Sequence, residues 1–499
     1  MVSIVEKFQT KRILNQIIKK NSLFWEKVGQ KNTLRLFKKV AKYVPAYKDF
    51  LSKNGIDYKK IKTWSDFQLV PITDKKNYLQ QYSLEDLCWY GRIDKPLVFT
   101  STSGSTSVPF YFPRSHQIDW QSAVTHQQFY DQGKADSTLV IVTFGMGLWI
   151  GGLITYQAFE IIARNGKKPI SIITPGINKK EIFKALRDLA PKYGEVILAG
   201  YPPFIKDLLD EATANNIDLK KIKMRFVMAA EVFTENFRDY LMERAENLNV
   251  FTDFLHIYGS ADIGTMATES TPGILVKRLA NQNQLLFENL FEHWTKSPTV
   301  AQYNPNFINF EAIDEQILLT GNNAIPLIRY AIGDRGGVYS YEQIKNKFTK
   351  FGIDLEKEAA SRGLLPYWQQ LPFIYIFERM DLSVTIYGVN IFPQIIREVL
   401  LKDNLQKYIT GKFTLQTKFT GKQDQYLEIN LELKAQIELP THLSVTVKKE
   451  ILSALIEKSS EFCELSKLLG ERVHPSINFF SFEHPEYFKP GVKQKWVIQ

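Results

Sequence analysis

The chain has 499 residues, 44% of them hydrophobic and 23% charged, with a formal net charge of +10. That length expects two or more domains with sizeable cores, and the composition is that of a globular protein rather than a disordered or fibrous one. No apolar run reaches the ~18 residues of a membrane span, no secretory pattern opens the chain, and two isolated cysteines, Cys88 and Cys463, exclude a disulfide framework or a cysteine metal cluster; a reducing cytoplasm is the expected setting.

The charge is unevenly placed. Residues 1–62 hold 16 Lys or Arg against 4 Asp or Glu, so the remainder is about neutral. This stretch reads either as a solvated helical face or as an attraction to a polyanion, a membrane surface or the phosphates of coenzyme A. No nucleic-acid motif accompanies it, so no nucleic-acid partner is expected. Ile4, Phe8, Leu14, Ile17 and Ile18 mark a first helix, and Leu34, Phe37 and Val40 a second that ends near Pro45. Asn54-Gly55 is a turn, and Ser65 is placed to cap a short helix before Pro71.

The next stretch organises the chain. Leu97 to Phe99 and Phe110 to Phe112 can each extend, and between them lie Thr102, Ser103, Gly104, Ser105, Thr106 and Ser107. A hairpin needs only two to five turn residues. The surplus of hydroxyls and backbone N–H groups suits an anion, as oriented amides do in a nest, or is simply a solvated Ser/Thr loop. It is not a Walker loop, since the second glycine and the lysine are absent.

Strand and helix signals then alternate. Strands are expected at 138–144, 169–174, 195–199 and 224–229, with helices between them, which predicts an α/β domain with a largely parallel sheet. Ala229-Ala230-Glu231-Val232-Phe233-Thr234-Glu235 runs from a strand into a helix capped by Thr234. Tyr258-Gly259-Ser260-Ala261-Asp262 is a strand-end turn with one acid, and His256 just before it reads as a buried, hydrogen-bonded histidine. Leu285 to Trp294 reads as a helix and Glu315 to Thr320 as a strand. Pro326-Leu327-Ile328-Arg329-Tyr330 leads to Gly333-Asp334, which reads as a turn or as an acceptor-only carboxylate placed for sugar hydroxyls. Glu378-Arg379-Met380-Asp381 precedes Gly388-Val389-Asn390-Ile391-Phe392-Pro393. Beyond it, paired strands at 413–419 and 426–433, a helix at 444–458 and a strand at 477–482 describe a compact α+β unit. The tail carries Gly491, Lys493 and Lys495.

These six motifs, in this order, resemble the adenylate-forming (acyl/aryl-CoA ligase) superfamily, and in particular its phenylacetate-CoA ligase-like branch. The stretches at 43–56 and 64–75 match that branch more loosely. The resemblance implies a large N-terminal adenylation core over 1–380 and a small mobile C-terminal lid over 381–499. It implies a phosphate loop of Thr102, Ser103, Gly104, Ser105 and Thr106. Ala230, Glu231, Tyr258 and Gly259 would border the adenine, Ser260 would offer a hydroxyl to the α-phosphate, and Asp262 would hold Mg²⁺. Asp334 would accept from the ribose hydroxyls, Arg379 and Asn390 would reach the nucleotide, and Asp381 would be the hinge. The catalytic lysine would be Lys493, or Lys495 in the alternative register. Departures are Ser107 and Ala229 for glycine, Phe110 for lysine, Val232 for proline, Ala261 for threonine, Glu378 for glycine and Arg397 for an acid. Residues 267–312 and 340–370 fit the pattern poorly and are expected as insertions, the first covering the acid pocket or making the contact of a homodimer.

The implied reaction is ATP-dependent activation of a small carboxylic acid, aromatic or apolar, to an acyl-adenylate, then transfer to a thiol of coenzyme A. The alternatives are an adenylyltransferase or carrier-loading enzyme that uses no coenzyme A, and a non-catalytic nucleotide- or aryl-acid-binding relative. A basic peripheral membrane protein is a third.

Overall fold

Alternation of apolar strands and capped helices from Thr138 onward builds the parallel half of one large sheet, and the rest of the molecule is arranged on it. The structure, a computed structural model, describes residues 4–93, 98–101, 110–147, 150–166, 168–230, 232–292, 297–377, 384–386, 389–419, 425–489 and 496–497. Three helices open the chain, Ile4–Lys19, Ser22–Tyr43 and Pro45–Lys53, the last entered through a proline that needs no N–H partner there. The short helix before Pro71 spans Trp64–Phe67 and is capped by Thr63, not by Ser65. Thr63 and Asp66 form a reciprocal capping box that satisfies two otherwise orphan donors. The strands flanking the hydroxyl-rich loop, β1 (Val98–Ser101) and β2 (Tyr111–Arg114), pair antiparallel as an isolated hairpin.

The central sheet has eleven strands: β3 (Thr138–Val142), β4 (Ile170–Ile173), β5 (Glu195–Gly200), β6 (Met224–Ala229), β7 (Phe254–Ser260), β8 (Gly264–Glu269), β9 (Thr299–Gln302), β10 (Ile308–Ile313), β11 (Gln316–Gly321), β12 (Leu327–Tyr339) and β13 (Phe373–Phe377). Their spatial order is β10-β11-β12-β13-β9-β8-β7-β6-β5-β3-β4. β4, β3, β5, β6 and β7 run parallel, as expected. From β7 onward every pairing is antiparallel, so the sheet is mixed rather than largely parallel. Alternation along each strand feeds two layers. Leu139 and Ile141 pack with Leu198 and Phe226 on one face, and Val140 and Val142 with Phe159 and Leu255 on the other.

Residues 267–312, expected as an insertion, supply the end of β8, all of β9 and most of β10, so this stretch is an integral part of the sheet. Its helices, Thr271–Asn281 and Gln284–Phe291, share one core with Tyr341, Phe348 and Leu355 of the 340–370 stretch. The Gly333-Asp334 pair lies inside β12 rather than in a turn.

The C-terminal part has its own core of Ile386, Ile396, Phe413, Ile429, Ile451 and Trp496. It contains a hairpin of β14 (Val384–Ile386) and β15 (Val389–Ile391), and a three-stranded sheet of β16 (Ile409–Phe419), β17 (Gln425–Leu433) and β18 (Ser476–Phe480). The helices Leu443–Lys458 and Ser460–Leu469 follow β17. Among the described residues no helix is long and apolar enough to cross a membrane.

Candidate active site

Ligands of open α/β sheets gather outside the C-terminal ends of the parallel strands, and β7 is the last of these strands before the pairing becomes antiparallel. Three motifs meet there. At the end of β7 the chain must turn tightly into β8: a Cβ on Gly259 would sit 2.8 Å from the Gly264 carbonyl, so only glycine fits. The register shifts between Tyr258 and Gly259, which marks a bulge. Bulges re-aim side chains.

β12 is bulged twice. The register slips between the Leu319–Tyr330 and Gly321–Leu327 pairs, and again between Leu318–Ala331 and Gln316–Arg335. The second slip contains Gly333 at φ +91°, a conformation that glycine adopts without a Cβ penalty. Asp334 follows it directly and is buried. The Tyr258 hydroxyl donates to Asp334 Oδ2 at 2.6 Å. The first slip aims Tyr330, whose hydroxyl donates to Asp262 Oδ1 at 3.1 Å. Two tyrosine–carboxylate pairs therefore cross to β12 from the end of β7 and its turn into β8, each acid meeting a tyrosine of the other segment.

Three further residues hold this corner. Asn323, from the turn after β11, donates to the Asp262 carbonyl at 3.5 Å, and its Oδ1 accepts from Ser115 N at 3.3 Å and Ala324 N at 2.7 Å. Ser115 is the first residue past β2, so Asn323 ties the base of the loop hairpin to the β7–β8 turn. Thr73 adds a parallel bridge to β12: its N–H donates to the Arg329 carbonyl at 3.1 Å and its carbonyl accepts from Ala331 N at 2.7 Å. Arg329, at φ +46°, is the clamp of its own motif, donating to the Gln68 carbonyl at 2.5 Å and to Glu311 at 3.2 Å. The motif Arg-Tyr contains Tyr330, which signalled its place. Asn323 and Thr73 had no local signal beyond a turn and a Pro-x-Thr string.

Ser260 Oγ is buried with no hydrogen-bond partner among the described residues. A buried hydroxyl left unpaired costs free energy unless a ligand or water completes it, and its position beside Asp262 fits an anionic oxygen. Ala230, at the end of β6, has φ +78° and an exposed side chain. A non-glycine residue held there is strained, and such strain collects at ligand sites.

The turn after Ala230 is fixed from behind by buried charge. Lys277 Nζ donates to the Phe233 carbonyl at 2.9 Å and to Glu269 Oε1 at 3.1 Å. Glu269 is fully buried and also accepts from Arg238 at 2.6 Å, with His256 Nδ1 3.4 Å away. Burial alone pushes this carboxyl up; Lys277, the contact with His256, and Arg238 outweigh it and hold the group well below the usual carboxylate range. His256 is thus buried beside an acid, as its sequence setting implied. Thr234 caps the helix Glu235–Arg244, accepting from Phe237 N at 3.2 Å.

Thr102, Ser103, Gly104, Ser105, Thr106, Glu231, Arg379, Asp381, Lys493 and Lys495 lie outside the described residues, as does the side chain of Asn390; the backbone of Asn390 pairs with Thr385 in the β14–β15 hairpin. Beside Ala230 the strand ends are apolar. Met146, Tyr201 and Ala229 pack partly buried on the layer that contains Phe144, with the Phe144 and Tyr201 rings 5.1 Å apart.

No protein-family model and no curated protein sequence matches the chain. Solved structures do. The chain is similar to 2-hydroxyisobutyryl-CoA ligase in the postadenylation state, with an acyl-AMP bound, at a TM-score of 0.66 and 13% identity over 97% of this chain and 91% of that one. Against the same ligase with 2-HIB-AMP and CoA in the thioesterification state, the TM-score is 0.53 at 13% identity, with the same coverage. At such identities the likeness establishes the fold alone, a mixed α/β fold built on one large sheet, in keeping with the α/β class expected from the sequence.

Proposed function

We propose that the chain is an AMP-forming acid–thiol ligase. The observation that carries this reading is the convergence at the end of β7 of Asp262 and Asp334, 72 residues apart in sequence, each met by a tyrosine hydroxyl. In the first half-reaction a carboxylate oxygen of the acid attacks the α-phosphorus of ATP. The bond from that phosphorus to the bridging oxygen breaks and pyrophosphate leaves, giving an acyl-adenylate. In the second, the thiol sulfur of coenzyme A attacks the adenylate carbonyl, the carbonyl carbon–oxygen bond to AMP breaks, and the thiol proton passes to solvent.

The residues divide the work by charge. Asp334 accepts from the ribose hydroxyls, since an ionised carboxylate is acceptor-only and has two oxygens. Tyr258 and the Ala230–Val232 turn flank the base. Ser260, Ser105 and Thr106 donate to phosphoryl oxygens as charge builds on them, where single preorganised donors are worth up to ~10²–10³-fold in rate. Lys493, or Lys495 in the other register, neutralises the developing charge. Magnesium suits one carboxylate plus phosphates rather than a protein cage. Asp262 is the residue that would hold Mg²⁺, and the ion would offset phosphate charge. The apolar strand ends at Met146, Tyr201 and Ala229 favour an aromatic or apolar acid.

The structure superposes better on the postadenylation than on the thioesterification state of that ligase; the reading adds a lid, residues 381–499, that turns about Asp381 between the steps. A pyrophosphate-release screen over a carboxylic-acid library, with and without coenzyme A, tests the reading. The expected result is acid-dependent pyrophosphate release with thiol-dependent AMP release. Release without thiol dependence would make the chain an adenylyltransferase, and none with any acid would refute the ligase.

A further inference from the structure

The C-terminal part meets the sheet along a polar seam. Lys206 Nζ donates to the Thr410 carbonyl at 3.1 Å, Lys412 Nζ lies 3.4 Å from Asp207, and Arg244 donates to Gln406 Oε1 at 3.1 Å. On the sheet side these contacts rest on the helices Pro202–Glu211 and Glu235–Arg244. Arg397 is different. It lies on the helix Pro393–Leu400 of the C-terminal part, is buried, and its Nη1 donates to the Val232 carbonyl at 2.7 Å. Val232 is two residues past the strained Ala230. The same guanidinium lies 4.5 Å from the centroid of the Trp496 ring. That ring is buried against Phe413 at 4.6 Å, and the Trp496 carbonyl accepts from Leu415 N at 2.6 Å. Trp496 is the chain neighbour of Lys495 and three residues from Lys493. One side chain thus joins the turn proposed to flank the base to the anchored end of the segment that carries both candidate lysines.

We propose that Arg397 is a positioning residue that sets Val232 and Phe233, just past the strained Ala230, when the C-terminal part is docked, so that docking completes the nucleotide pocket. The inference rests on the ligase reading for its nucleotide, but not for its mechanics. A strained backbone conformation persists only where its surroundings over-determine it. On the sheet side Phe233 is buried in the core, its carbonyl accepts from Lys277, and Thr234 caps the next helix; at Val232 the hydrogen bond found among the described residues comes from Arg397 of the docked part. A guanidinium suits this place because it is planar, stacks on an indole face and still presents in-plane N–H donors to a carbonyl. A carboxylate, which has no donor when ionised, would face the Val232 carbonyl with like partial charge.

Hydrogen exchange on the full-length chain tests this with no substrate present. Arg397→Ala and Arg397→Gln should speed exchange in peptides covering 224–234 by about tenfold, the factor that loss of one charged hydrogen bond gives, while central amides of β17 keep their protection. Arg397→Lys should recover part of the effect. Lys412→Gln, which removes one ion pair of the seam and leaves the part docked with Arg397 in place, should leave 224–234 within twofold of wild type. Titration with Mg-ATP should then show three- to tenfold weaker binding for Arg397→Ala and near wild-type binding for Lys412→Gln. Unchanged exchange at 224–234 in Arg397→Ala would overturn the proposal. So would a rise spread equally through β16 and β17, since that is the mark of a merely structural residue. If wild type binds no ATP at all, the ligase reading fails while the exchange result still decides whether Arg397 sets the turn.

Discussion

Replacing Asp334 separates the sugar-binding role proposed for this carboxylate from its structural one. Asp334 is buried and accepts the Tyr258 hydroxyl at 2.6 Å, a distance typical of a charge-assisted bond. Tyr258→Phe removes that bond and keeps the carboxylate. Its expected cost is about 1–2 kcal/mol of stability, the lower part of the range for a bond to a charged group because Tyr258 is only half-buried. Ribose binding should not weaken. Asp334→Ala removes the same bond and, in addition, both bonds to the ribose hydroxyls. At about 1.5 kcal/mol each, those two bonds amount to about 3 kcal/mol, or roughly a hundredfold in Kd. Isothermal titration of Mg-ATP into the two variants, with a denaturation curve for each without nucleotide, gives both numbers. Wild-type ATP affinity in Asp334→Ala would refute the ribose assignment. If Tyr258→Phe weakened ATP as much as Asp334→Ala, the carboxylate would act by holding the tyrosine and not the sugar.

Glu269→Gln should destabilise the chain by about 3–5 kcal/mol, because it leaves Arg238 and Lys277 buried beside a neutral group; urea denaturation at pH 7 measures it. The same depressed carboxyl contributes stability above the ordinary carboxylate pKa and loses it as pH falls through its lower folded value, so the variant should lack that part of the acid transition. His126 is fully buried, with Nδ1 2.8 Å from the Ser122 carbonyl, and burial pushes its pKa down to about 4. Its unfolded form takes a proton near 6.5, so stability should be full above that pH and fall by roughly 3 kcal/mol between about pH 6.5 and 4. In His126→Gln that slope should be missing from urea titrations at pH 7.5, 6 and 5, and an unchanged slope would mean that the histidine titrates exposed. Ala230→Gly should be neutral or stabilising by up to about 1 kcal/mol, and Ala230→Val destabilising, since only the first relieves a left-handed backbone; melting temperatures that fall alike for both would count against strain.

Local physics made much of this legible. β6 falls at 224–229 as expected because a polar turn and a capped helix bound an apolar run. Thr234 was readable as a cap because its bond spans three residues. The reading failed where the deciding partner is far away in sequence. Ser65 and Thr63 are both competent caps, and Asp66 chose Thr63 by returning the bond. Gly333-Asp334 has the composition of a turn, yet pairing with β11 carries the chain through it as a bulge. Residues 267–312 lack the parallel-strand rhythm because β8, β9 and β10 pair antiparallel. In the site, Asp262 and Asp334 were found by their motifs, whereas Asn323 and Thr73 act through hydrogen bonds to residues 61 and more than 250 positions away.

The buried charges behind the site bear on why the turn keeps its shape. A buried ion pair is rarely better for stability than apolar side chains of the same volume, so the group of Glu235, Arg238, Glu269 and Lys277 is poorly explained as a source of stability. What it has that an apolar core lacks is direction. Glu269 on β8 sits opposite His256 on β7, two residues before Tyr258. Through Lys277 that carboxylate is joined to the Phe233 carbonyl, and through Arg238 to Glu235 at the start of the next helix. A leucine in place of Glu269 would fill space equally well with the turn in several positions. The charge network accepts one arrangement, in which each donor has its acceptor. It therefore fixes Tyr258 and the Ala230 turn relative to each other from the side away from the ligand. The opposite end of the turn is then left to Arg397, which arrives only with the C-terminal part. On the proposal for Arg397, such a pocket is half set by the core and half set by docking, a division that suits the proposed reaction, whose two steps would need the same pocket with different lids.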